Sequence, residues 1–88
     1  MILSILFACS IKSGAVMIKA EQVYTEKNVP ENRESVYEWS MAEAYLQKAR
    51  EEYASSSFEE AENLAKKSIE WMVLSEEAAA LKAKKESE

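Results

Sequence analysis

The chain has 88 residues, with 16 acidic against 11 basic side chains, a formal net charge of −5, no His, and one each of Gly, Pro and Cys. A chain this short makes one domain at most and buries only roughly 60–65% of the surface its unfolded form exposes. The absent His and single Cys exclude a zinc finger, a His-ligated haem and a Ser-His-Asp triad, the single Gly excludes a P-loop and a dinucleotide fingerprint, and the acidic balance makes the chain a poor binder of a nucleic-acid backbone.

Taken in chain order, residues 1–9, MILSILFAC, are almost wholly apolar, and Lys12 closes the run far short of the roughly 20 residues a membrane-spanning helix needs. Residues 10–28 predict a first helix, with Ala15, Val16, Ile18, Val23 and Tyr24 as its apolar positions. Pro30 pushes Val29 toward extended geometry, so that helix should stop near Asn28. Ser35 and Glu38 have the spacing of a capping box for a second helix over about 36–53. Its stripe of Ala42, Tyr45, Leu46, Ala49 and Tyr53 recurs at three and four residues. Ala54 and three serines break the chain again, and Ser57 with Glu60 repeats the capping pattern. A third helix then runs over about 58–85, and residues 82–88 are expected to fray. The short Ser-rich connection makes the second and third helices antiparallel neighbours. The expected fold is therefore all-α, three helices, the last two an antiparallel hairpin. Residues 1–9 form a signal-like segment, 10–34 a helix and linker, and 35–88 the hairpin domain.

The N-terminal run has the character of a secretory leader. Leu6-Phe7-Ala8-Cys9 resembles a bacterial lipobox: an apolar residue, a variable one, a small one, then the Cys whose thiol accepts a diacylglycerol. Cys9 is thus the expected lipidation site. A leader also carries a basic segment ahead of its apolar run, and none precedes Ile2, so a few residues upstream of Met1 are expected to complete it. A mature lipoprotein Cys bears three acyl chains, enough for stable anchoring where a single chain is marginal. Ser10 after that Cys points to outer-membrane sorting. The competing reading makes residues 1–9 an apolar helix with an incidentally buried Cys.

Phe58, Ala61, Ala65 and Ser68, preceded by Tyr45 and Ala49, resemble one tetratricopeptide unit, in which an aromatic and small residues let two helices approach closely. More extensively, residues 42–71 resemble a small helical bacterial lipoprotein family of unknown function. The matching positions are Glu43, Ala44, Tyr45, Leu46, Lys48, Ala49, Arg50 and Glu51 in one helix and Phe58, Glu59 and Ala61 in the next. That resemblance implies a cell-envelope location and no known enzyme activity.

Candidate chemistry is sparse. Glu51, Glu52, Glu59, Glu60 and Glu62 gather near the hairpin turn, but calcium loops use Asp, Asn and an obligatory Gly, and di-iron bundles need Glu-x-x-His. They read as a solvated face. Lys66, Lys67, Lys82, Lys84 and Lys85 alternate with Glu at helical spacing and read as ion-paired surface. No catalytic residue, metal site, cofactor or small-molecule substrate is expected. Trp71, with Val73 and Leu74 after it, leaves the third helix apolar on more sides than one hairpin can cover. Either residues 10–28 fold back over it or a partner does. Trp39, Tyr45, Trp71 and Met72 are the expected protein-interaction residues.

Two functions follow. The first is a non-enzymatic, lipid-anchored envelope protein facing the periplasm, acting as an adaptor or stabiliser for envelope proteins or for itself. The second is a cytoplasmic helical protein that self-associates or binds a partner helix through residues 1–18.

Overall fold

In a computed structural model, the backbone is described from Ile2 to Ser87 and the side chains from Gly14 to Ser87. The side chain of Cys9, the expected lipidation site, and the apolar run before it lie outside the described residues.

The described residues form helices and no strand: α1 (Ile2–Lys27), α2 (Pro30–Arg33), α3 (Val36–Ala54) and α4 (Phe58–Ser87). The expected count was three, and the linker hides a fourth. Pro30 explains both sides of that break. It holds Val29 at φ −123° and ψ 154°, which ends α1, and then sits at the first turn of α2, where its missing N–H costs nothing. Asn32 in that turn is buried. Its Nδ2 donates to the Lys27 carbonyl at 2.7 Å, which also accepts from the Val29 N–H at 2.9 Å, so the end of α1 is closed twice. The Ser75 hydroxyl of α4 donates to the Asn32 carbonyl at 2.8 Å, which ties the turn to the bundle.

Two further boundaries differ from expectation. Ser35 makes no side-chain capping bond; at ψ 71° it is short of the extended geometry an N-cap needs, so the Ser35–Glu38 box does not form. The backbone of α4 stays helical through Ser87, two residues past the expected end and through positions expected to fray, although residues 81–87 are exposed.

Contacts along α3 and α4 pair Tyr53 with Phe58, Tyr45 with Lys67, Ala42 with Ser68 and Tyr37 with Trp71, so the two helices run in opposite directions. Small residues allow the close approach. Ala42, Ala49, Ala61 and Ala65 are fully buried, and the Ser68 hydroxyl donates to the Ala42 carbonyl at 2.7 Å. Their turn is a complete Schellman closure. The Ser57 N–H donates to Glu52 C=O, the Ser56 N–H donates to Tyr53 C=O, and Ser56 takes the left-handed conformation at φ 64°.

α1 supplies the third layer. It runs with α4 and against α3, as the ion pairs Lys27–Glu76 and Arg50–Glu21 require. Ala20 is fully buried, and Val16, Met17, Val23 and Tyr24 pack on the core. Gly14 marks where this packing meets the α3–α4 turn: a Cβ there would lie 3.2 Å from the Tyr53 hydroxyl. The core is Leu46, Met72 and Trp39 set among alanines. Among the described residues no buried side-chain nitrogen or oxygen lacks a partner. The molecule is a rod of 61 × 16 × 15 Å.

Candidate functional site

The four expected interaction residues do not share one surface. Trp39 is 4% exposed and stacks on Tyr24, with ring centroids 5.4 Å apart. Met72 is 0% exposed. Both belong to the core of the folded chain, because each points into the space that α1 closes. Sequence reading could not separate them from surface residues without knowing which side α1 covers.

Tyr45 and Trp71 are half-buried along the α3–α4 groove, and Trp71 also packs against the core. Lys67 Nζ sits 5.6 Å from the Tyr45 ring centroid, and Trp71 meets Tyr37 edge-on at 5.6 Å. Lys67 and Trp71 are one helical turn apart on α4, so these four residues form a continuous line along the groove. Past Trp71 the line continues through Leu74, Ala78 and Leu81. The steps of three, four and three residues keep one face of a helix. α3 begins at Val36, level with Trp71, and so cannot cover these positions. Leu74 is 43% exposed, Leu81 61%, Val36 69% and Tyr37 66%. Tyr37, Val36 and Leu81 were not among the expected residues. The signal was present in the sequence as the spacing 71-74-78-81, which carries on after the hairpin stripe ends.

The alternatives posed for the apolar excess on α4 thus resolve by residue. α1 folds back on α4, and Ile69 and Trp71 both pack against the core, while Val73, Leu74 and Leu81 stay exposed.

The charged clusters are mostly surface, but Glu62, expected on a solvated face, is buried on α4. Glu51 and Glu52 lie 3.9 and 3.6 Å from Lys48, Glu62 pairs with Lys66 at 3.1 Å, and Lys82 reaches Glu34 at 3.7 Å. Among the described residues no group of three or more potential ligands could hold a metal ion. Glu21 is held below the ordinary carboxylate range, first by its hydrogen bonds from Arg50, with partial burial opposing and the guanidinium charge assisting. Burial, then the charge of Glu43 and a hydrogen bond to it, push the Tyr24 phenol up. The phenol donates to Glu43 Oε2 at 3.3 Å, which fixes the ring over Trp39. Both shifts have structural causes, and neither group lies on the open strip. Among the described residues no helix is long and apolar enough to cross a membrane.

No family model matches this chain, and none of the curated proteins or solved structures compared with it matches either.

Proposed function

We propose that this chain is a non-enzymatic, lipid-anchored protein of the bacterial cell envelope, held at the outer membrane through Cys9 and facing the periplasm, and that it acts as a protein-interaction adaptor or stabiliser. In this reading α3 and α4 form a tetratricopeptide-like hairpin whose outer groove takes a protein partner. The observation that carries it is the open apolar strip from Tyr37 and Trp71 to Leu81, since a contiguous exposed patch rimmed by charge is characteristic of interaction surfaces. The anchor rests on Leu6-Phe7-Ala8-Cys9. Its placement is supported by Gly14, whose backbone lies so near Tyr53 that a Cβ would stand 3.2 Å from the hydroxyl. Cys9 precedes Gly14 by five residues, about 8 Å of helix, so a lipid there would hold the α3–α4 turn close to the bilayer.

Radiolabelled palmitate incorporation into the native-locus protein tests the anchor. Label is expected in the wild type and lost in Cys9→Ala. Absence of label in both overturns the anchor and makes residues 1–9 part of the folded protein.

A further inference from the structure

We infer that the open strip on α4 pairs with the same strip of a second copy, the two α4 helices running antiparallel about a two-fold axis. This deepens the interaction reading above by naming its partner, and it makes no use of the anchor.

Three features favour a second copy. The first is spacing. Trp71, Leu74, Ala78 and Leu81 have the alternating three and four steps of a coiled-coil seam, which fits a helix laid alongside. Val36 and Tyr37, 69% and 66% exposed, extend the strip beside Trp71, and charged residues rim it, the make-up of an apolar interface core with a polar rim. The second is shape. In the antiparallel register that sets Trp71 beside Leu81 of the second copy, Leu74 falls beside Ala78, so large side chains meet small ones. The third is charge. Glu70, Glu77 and Lys84 are exposed and recur every seven residues along one flank of the seam. The same register puts Glu70 opposite Lys84 of the second copy, and symmetry repeats the pair. Flanking charges of this kind set partner and orientation in helix pairs. The strip ends in Lys67 and Lys85, so apolar pairing stops after two heptads and closes as a dimer. The same symmetry puts Glu77 near its own counterpart at the centre. That repulsion belongs only to self-pairing.

Sedimentation of the full chain under reducing conditions, where Cys9 cannot cross-link copies, tests the pairing. A concentration-dependent dimer is expected. Leu81→Glu should weaken it about 100-fold with the helical circular dichroism unchanged, since a charge would be buried twice in one interface. Glu70→Lys and Lys84→Glu should each weaken it about tenfold, and the doubly exchanged chain should recover. Glu77→Gln should tighten it several-fold. A monomer at all concentrations overturns the pairing, as does a dimer insensitive to Leu81→Glu or a charge exchange that fails to restore. A chain that takes up palmitate yet stays monomeric keeps the anchor and loses this inference.

Discussion

Where α3 turns into α4, every ring has a neighbour. Tyr53 meets Phe58 edge-on at 5.2 Å, its hydroxyl closes on Gly14, and the turn itself is sealed by Ser56 and Ser57. At the opposite end of the rod the small α2 stands in for a full helix. There Leu74, Leu81, Val36 and Tyr37 remain in water while Ser75 is fully buried. The chain therefore places small and polar residues inside and large apolar ones outside at the same end. Ser75 has a structural task at that end, since its hydroxyl serves the buried Asn32 carbonyl, whereas Leu74 and Leu81 stay 43% and 61% exposed. The closed end is built for stability, and the open end keeps apolar surface in reserve.

The largest expected effect comes from exchanging the same residue type in the two settings. Leu46 is 1% exposed at the middle of the core, and Leu81 is exposed on the strip. Leu46→Ala should cost about 2–5 kcal/mol from lost burial plus a cavity. That is a large share of a total stability of roughly 4–13 kcal/mol for a domain of this length. Leu81→Ala should change the unfolding free energy by less than about 0.5 kcal/mol. Urea unfolding at a concentration low enough to keep the chain monomeric measures both. Equal losses would mean that the α4 tail is part of the folding core and would erase the contrast between the two ends.

How much of this contrast the sequence displays depends on the range of the contact. The break at Pro30, the Ser-rich turn and the three-and-four stripe on α3 are local, and they stand where the spacing predicts. The small residues of the seam, Ala49, Ala61, Ala65 and Ser68, are legible for the same reason. Which side α1 covers is not local. Trp39 and Trp71 look alike in sequence, yet Tyr24, fifteen residues upstream of one, stacks on Trp39 and leaves Trp71 at the rim. α2 was missed because four residues are too few to show a period. The Ser35 cap failed because the chain enters α3 from another helical turn rather than from an extended segment.

A smaller effect sharpens the closed end. Ser56 holds φ 64° without being Gly, in the position where a Schellman closure ordinarily uses Gly. The left-handed conformation costs an L-residue roughly 1–2 kcal/mol. Ser56→Gly removes that strain, and greater freedom of the unfolded chain offsets part of the gain. The expected result is a stabilisation of about 0.5–1 kcal/mol, read as a higher urea midpoint with unchanged slope. A lower midpoint would mean that the Ser56 side chain contributes to the turn and that the closure is not merely tolerating it.

The smallest effect lies between the two ends, where α1 is clipped to α3. Arg50 donates through Nε and Nη2 to both Glu21 oxygens, at 2.7 and 2.8 Å. The geometry is the strong bidentate form, but the side chains are 44–45% exposed, so water and salt screen most of the attraction. A few tenths of a kcal/mol, roughly, is the expected contribution. Its pH dependence follows from the direction of the shift. Glu21 titrates lower folded than unfolded, because the Arg50 hydrogen bonds stabilise the carboxylate. The contribution is therefore complete above the ordinary Glu value and is lost as pH falls through the depressed folded one. Glu21→Gln should lower the urea midpoint slightly at neutral pH and not at all in strong acid. It should also lose most of its effect at high salt, where an exposed pair is screened. If the gap between wild type and variant persisted unchanged into acid, the difference would come from packing at the α1–α3 contact rather than from charge. The clip joining α1 to the closed end would then be steric, like Gly14 against Tyr53.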